Sequence, residues 1–205
     1  MATLTVYSSS GDGWIDSRAT TYTEARSKSA SYYPVDTTNF IRVGQRFSAP
    51  NYFCQEGFTH FDTSALETAG NITSAALSLW LLYDYSVQDF TQEIRDYDWG
   101  GTLEHTDWIA GADLGDNTLL SSLLVDPSAG YNVFVSSAAF ISAIVKDGNT
   151  LVGINSDRQR IGTTPTGQEY IMWACANAEG TTEDPKLVID YDVVTANTTN
   201  FFFMW

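Results

Sequence analysis

The sequence is poor in the residues that catalytic and metal-binding sites most often use. In 205 residues it has 2 histidines and 2 cysteines, and 10 Lys and Arg stand against 25 Asp and Glu. Two cysteines are too few for a disulfide framework. Both lie in apolar runs, which favours buried free thiols and leaves a disulfide between neighbouring strands as the alternative. The net charge of −15 makes nucleic acids and anionic membrane surfaces poor partners.

Long apolar runs are also missing. None approaches the ~18 residues that cross a bilayer. The opening stretch MATLTVYSSSGDGW has neither a basic region nor an apolar region of the kind found in secretory signals. We therefore expect no membrane partner, and we expect the chain to be made in a cytoplasm without export by the usual signal.

Recognisable catalytic motifs are absent as well. The sequence has no G-x-S-x-G elbow, H-E-x-x-H pair, C-x-x-C pair or glycine-rich phosphate loop. A triad assembled across the fold stays open in principle, but only His60 and His105 could serve as its base. We interpret His60 as a structural residue beside Phe61. The sequence thus predicts a non-enzymatic protein without catalytic residues or a cofactor.

What the sequence does contain is a series of short strand-like segments between turn residues. The clearest are AALSLWLLYDY at 75–85 and KLVIDYDV at 186–193, where apolar residues alternate. In the first, Leu77, Leu79, Leu81 and Tyr83 are predicted to share one face. Weaker candidates cover residues 4–7, 40–45, 52–61, 92–97, 150–155 and 170–176.

One segment has a helical pattern. In SSAAFISAIVKDG, residues 136–148, the apolar side chains of Phe140, Ile141, Ile144 and Val145 fall on one helical face. One short helix among about eight strands predicts an all-β protein, most simply two packed sheets.

Acidic loops offer candidate ligands for a hard cation. In DYDWGGTLEHTD, Asp96 and Asp98 fall at positions 1 and 3 of a calcium-loop spacing. Position 5, however, is Gly100, which has no side-chain ligand, and position 12 is Asp107 rather than a bidentate Glu. In GDGWID, Asp12 and Asp16 are the second candidate pair. A structural calcium ion is therefore the alternative to plain turns.

Aromatic residues supply the candidate for a sugar-binding surface. Four of them lie in or beside predicted loops, namely Tyr32, Tyr33, Trp99 and Trp108. Exposed rings at the end of a sandwich could stack on a glycan, whereas rings folded back would cover the core.

The chain closes in an apolar run after a polar spacer, DVVTANTTN. Five apolar side chains left in water would be costly. We predict that they bind a partner subunit, with docking onto the protein's own domain as the alternative. The five residues are Phe201, Phe202, Phe203, Met204 and Trp205.

Three phrases occur in the order of one family's pattern: FTHFDTSAL, ITSAALSLWLLYD and DPKLVIDYD. They resemble the DNRLRE-type domains, carbohydrate-binding-module-like jelly rolls of secreted bacterial proteins and phage particles. His60 departs from the arginine or lysine often found there. The matching residues are Phe61, Asp62, Ser64 and Leu66, then Thr73, Ser74, Ala75 and Leu77, then Pro185, Lys186 and Leu187.

The middle of the chain is closer to the version found in tailed-phage virion proteins, in YDWGGTLEHTDWIAGADL, YNVFVSS and RIGTTPTGQEY. The resemblance implies a jelly-roll β-sandwich, which we assign to 1–192. Residues 193–205 lie outside the shared domain, and their apolar end leads us to expect an extension that anchors assembly. The resemblance also implies a structural virion protein assembled in the host cytoplasm, either a capsid decoration protein or a tail or fibre component. Its partners would be other virion proteins or further copies of itself. The alternative is a carbohydrate-binding module that attaches to host surface glycans.

Overall fold

The computed structural model describes residues 1–28, 35–37, 40–124, 126–176 and 182–194. Within them the chain is mostly β, which confirms the predicted all-β class. The eleven strands are β1 Ala2–Tyr7, β2 Gly13–Ala19, β3 Phe40–Ser48, β4 Asn51–Asp62, β5 Ala69–Asp84, β6 Thr91–Asp96, β7 Leu119–Leu124, β8 Gly130–Phe134, β9 Asn149–Ser156, β10 Gln168–Ala174 and β11 Lys186–Val193.

These strands form one connected, curled antiparallel sheet. The sequence had predicted about eight strands in two packed sheets. The main order is β1-β11-β5-β10-β3-β4-β9-β6-β7, while β2 pairs with β4 and β8 pairs with β5. The strands that the sequence did not predict are β2, β7 and β8. The finer jelly-roll topology and the domain boundary at 192 stay predictions.

In the described ranges, three short α-helices connect the strands: α1 Tyr22–Arg26, α2 Ala138–Ala143 and α3 Asp157–Ile161. Single 3₁₀ turns lie at Ser64–Leu66, His105–Asp107 and Asp113–Asp116. The predicted helix is α2, where the Phe140 N–H donates to the Ser137 cap at 3.0 Å. It ends at Ala143, so Val145 lies beyond it and is 39% exposed. In the described residues, no helix is long and apolar enough to span a membrane.

The main core lies against β5, β10 and β11. Leu77, Leu79, Trp173, Leu187 and Ile189 are all fully buried there. The Trp173 indole N–H donates to the Gln92 side chain at 2.7 Å, so this large ring is buried with its polar atom satisfied. A second cluster packs α1 against β2 and β4 and includes Ile15, Tyr22, Cys54 and Phe58.

Both cysteines are buried free thiols, as predicted. Burial raises the pKa of the Cys54 thiol far above its usual range, which makes the reactive thiolate scarce at neutral pH.

A register shift in β5 overturns one sequence-based prediction. Trp173 pairs with Leu81 and Met172 pairs with Tyr83, so Leu82 is an extra residue on β5. A bulge of this kind moves the residues beyond it to the opposite face of the sheet. Tyr83 therefore leaves the core face that holds Leu77 and Leu79, and it is 57% exposed.

Candidate functional site

Two of the predicted sugar-binding residues lie in the interior. Trp99 is 3% exposed and packs edge-on against Phe58 and His60, with ring centroids 5.9 and 5.5 Å apart. Trp108 is 4% exposed, and its indole N–H donates to the Lys28 carbonyl at 3.1 Å. Loop aromatics here cover the second core cluster. The prediction that Trp99 and Trp108 offer stacking surfaces is therefore wrong.

Other predicted site residues lie outside the described part of the chain. They are Tyr32, Tyr33, Phe201, Phe202, Phe203, Met204 and Trp205.

The four candidate calcium ligands do not converge. Both oxygens of buried Asp12 accept from the Ala176 N–H, at 3.0 and 3.2 Å, while buried Asp16 lies in mid-strand on β2. Asp96 and Asp98 are exposed, and Asp98 accepts from the Gly100 N–H at 3.0 Å. Across the described ranges, no three His, Cys, Asp or Glu side chains could hold a metal ion together. Structural calcium stays a prediction.

Several buried acidic side chains accept hydrogen bonds from neighbouring residues. Glu56 accepts from the Gln159 side chain at 2.7 Å and from the Ile109 N–H at 3.1 Å, and burial raises its pKa well above the usual value. Glu93 accepts from Arg95 and Arg160 at 2.7 and 2.9 Å. Burial acts to raise the pKa of Glu93, but the two arginines outweigh it and hold the pKa below its usual value.

An open cleft of about 500 Å³ contains a serine–histidine pair. Ser9 Oγ and His60 Nε2 are hydrogen-bonded, and burial lowers the pKa of His60. A nucleophilic serine needs a base that a third group holds in place. Within the described ranges, His60 Nδ1 is buried without a hydrogen-bond partner. No carboxylate of the described residues therefore orients the pair.

A different surface gathers arginines and aromatic rings on one face of the sheet, formed by β2, β4, β3, β10 and the end of β5. In-register pairs place its members on the same side. We call it the arginine–aromatic face and define it by Trp14, Asp16, Arg18, Phe40, Arg42, Arg46, Phe53, Gln55, Tyr83, Tyr85 and Tyr170.

The guanidinium groups on this face lie over its rings. Arg42 Cζ is 4.5 Å from the Trp14 ring centroid and 5.0 Å from that of Tyr170. Arg46 Cζ is 4.1 Å from the Phe53 ring and 6.0 Å from the Tyr170 ring. These are cation–π distances, so each arginine fixes the ring beneath it while its charge stays on the face.

The rings continue outward as a row. Tyr170 is 6% exposed, and its centroid lies 5.1 Å from that of Tyr85, which lies 5.8 Å from that of Tyr83. Tyr85 is 39% exposed and Tyr83 is 57% exposed. The row therefore runs from a buried ring held by arginines to two rings open to solvent.

Burial and charge compete at the inner end of the face. Burial raises the pKa of Asp16 to about 6, against the opposing pull of Arg46, Arg42 and Arg18. Burial also lowers the pKa of Arg42. Several buried polar atoms here lack a hydrogen-bond partner in the described part of the structure: Trp14 Nε1, Asp16 Oδ1, Arg42 Nε, Arg46 Nε and both amide atoms of Gln55.

No protein-family model matches the chain, and no curated protein is detectably similar to it.

Sequence reasoning missed this face for a physical reason. Alternation in residues 75–85 assigned Tyr83 to the core, because a single-residue bulge leaves no mark on a periodic pattern. The segment IRVGQRF did carry a usable signal. Arg42, Gly44 and Arg46 alternate with Ile41 and Val43, which indicates an arginine-bearing side opposite the core.

Proposed function

We propose that the protein is a non-enzymatic structural component of a bacteriophage particle. It would be an accessory or decoration protein on the capsid or a component of the tail or a fibre, assembled in the host cytoplasm. The proposal rests on the three sequence phrases that resemble the DNRLRE-type domains and on their positions in the fold.

All three phrases contribute to one core. Phe61 and Leu66 from the first, Ala75 and Leu77 from the second, and Leu187 from the third are fully buried in the same cluster. Leu187 pairs directly with Leu77 across β11 and β5. The residues that carry the resemblance therefore serve folding, so their positions support a shared architecture and point to no active site. The virion setting is proposed from the resemblance itself.

The arrangement of charge supports a non-enzymatic role. Glu93 is held by two arginines, and Glu169 accepts from Arg158 at 2.9 Å and from Gln45 at 2.8 Å. A general acid or base needs a proton that it can exchange with substrate in a cleft. These carboxylates stabilise the interior instead.

The proposed contact with the particle is the C-terminal segment, residues 201–205. The test compares three proteins: the full chain, a chain ending at residue 200, and a chain in which Gly and Ser replace residues 201–205. Each is expressed during growth of the phage that encodes the protein, and purified particles are analysed by mass spectrometry.

We expect the full chain in the particles and neither altered chain, while all three unfold at the same urea concentration. If the altered chains are less stable by several kcal/mol, the segment belongs to the protein's own core. If the full chain is absent from purified particles, the virion role is refuted.

A second candidate function is attachment to host surface glycans. The observation that favours it is the exposed tyrosine pair, Tyr83 and Tyr85, at the outer end of the arginine–aromatic face. Adjacent exposed rings supply apolar contact area with little conformational freedom to lose on binding. The two functions are compatible, because a protein that binds a host surface can also be anchored in a particle.

A further inference from the structure

The tyrosine row has the form of a binding platform rather than of scattered surface aromatics. Single exposed apolar residues are normal on protein surfaces. Here, however, Tyr83 and Tyr85 are neighbours at 5.8 Å, and Tyr85 continues into Tyr170 at 5.1 Å. Tyr170 is in turn fixed by Arg42 and Arg46. The exposed rings thus rest on an ordered base, which lowers the entropy that a ligand would have to overcome.

The same face concentrates positive charge on an otherwise acidic protein. Three of the chain's 10 cationic residues, Arg18, Arg42 and Arg46, lie on it, with two carboxylates near them, Asp16 and Asp36. Within the described ranges, the three ion pairs join Glu93 to Arg95, Glu169 to Arg158 and Glu93 to Arg160, so none involves Arg42 or Arg46. An arginine that forms no close ion pair of its own can pair with an anionic group of a ligand.

We propose that the arginine–aromatic face binds an acidic polysaccharide, with Tyr83 and Tyr85 stacking on sugar rings and Arg42 and Arg46 pairing with its anionic groups. This inference rests on glycan attachment, the second candidate function, and names its site and its ligand class.

The net charge of −15 does not prevent such binding, because charges more than about 8 Å away are screened at physiological salt. Single-stranded nucleic acid has comparable chemistry, since its bases stack on aromatic rings and its phosphates pair with arginine. It carries a charge on every unit, however, and needs a groove of Lys and Arg that follows the backbone. Three arginines at one end of a short row fit a polymer of lower charge density better.

The test is electrophoresis of the purified full chain through native gels that each contain one polymer. The acidic polymers are hyaluronan and xanthan, in which only some of the sugar units carry a charge; dextran is the neutral polymer; and a thymidine 20-mer is assayed separately by mobility shift. The site variant combines Tyr83→Ala with Tyr85→Ala, and Arg46→Gln tests the charge. The matched control is Tyr7→Ala on β1, because Tyr7 is 47% exposed but lies outside the row.

We expect at least one acidic polymer to retard the chain and dextran to have no effect. Both site variants should weaken the retardation at least about tenfold, as loss of a central contact does, and Tyr7→Ala should leave it unchanged. Circular dichroism melting shows whether Arg46→Gln is folded. The tyrosine variant alters only exposed side chains, so it tests the site even if Arg46→Gln fails to fold.

Each contrary result has its own meaning. If no polymer binds, glycan attachment fails together with this site. If an acidic polymer binds but the tyrosine variant behaves like the wild type, glycan attachment stands and the site is wrong. Equal retardation by dextran refutes the acidic ligand class. A shift of the thymidine 20-mer that both site variants weaken, without polysaccharide binding, assigns the face to nucleic acid and overturns the proposal.

Discussion

The interior position of Trp99 can be tested by its removal. The Trp99 ring is 3% exposed and contacts Phe58 and His60 edge-on. Trp99→Ala is therefore a large-to-small substitution in the core. Such changes cost about 3–5 kcal/mol because apolar contact is lost and a cavity remains. That is a large fraction of the 5–15 kcal/mol that typically stabilises a domain.

The measurement is urea unfolding followed by circular dichroism. With a slope of about 2 kcal/mol per molar urea, a loss of about 4 kcal/mol lowers the midpoint by about 2 M. Trp99→Phe should cost much less, because it keeps an aromatic ring and removes an indole N–H that is buried without a partner in the described structure.

The matched control is Tyr83→Ala, which removes a large aromatic side chain from the surface. Its effect on stability should stay within about 0.5 kcal/mol. If Trp99→Ala proves as mild as Tyr83→Ala, the indole is not packed in the core, and its earlier interpretation as a glycan-stacking residue would be restored.

Two further substitutions test the backbone and the buried acids. Gly44→Ala should lower the free energy of unfolding, measured in urea, by at least about 2 kcal/mol, because Gly44 has φ +129 and an added Cβ would collide with the Glu169 carbonyl and lie 2.8 Å from Tyr170 Cα. The control Gly100→Ala has φ +77 but lies in open space, so it should cost only about 1 kcal/mol, and equal costs would contradict the close approach at Gly44. Burial raises the pKa of Asp12 from 3.8 to about 7, so the folded state binds more protons than the unfolded state between these values, and stability should fall as pH rises from about 4 to 7. Asp12→Asn should flatten that fall in melting temperature, and an unchanged profile would show that Asp12 is not its source.

The elements that the sequence predicted are those whose local pattern and final environment agree. β11 alternates apolar and polar residues, and it lies where Leu187 and Ile189 face the core. α2 combines a serine cap with an apolar face, and it forms around Phe140. In these segments one local signal suffices, because no distant contact contradicts it.

The elements that the sequence missed depend on distant partners. In β2, GWIDSRA places polar Asp16 and Ser17 in the interior beside residues of β3, β4 and α1, so its pattern does not resemble an amphipathic strand. Trp99 lies in a loop rich in Gly and Asp, and its burial depends on packing against β4. The same limitation applies to the arginine–aromatic face, because the bulge at Leu82 determines on which side of the sheet Tyr83 lies.

The position of β11 has a mechanical consequence. This strand is hydrogen-bonded on both sides, to β1 over six residue pairs and to β5 along most of its length. It is the last strand of the part of the chain that the structure describes. A pull on the C-terminal segment along the strand axis would load both ladders in shear, because antiparallel hydrogen bonds run perpendicular to the strands. Many bonds must then break together rather than one after another. A protein held by its C-terminal end would thus resist detachment by unfolding when flow or contact with a surface drags on the rest of the chain.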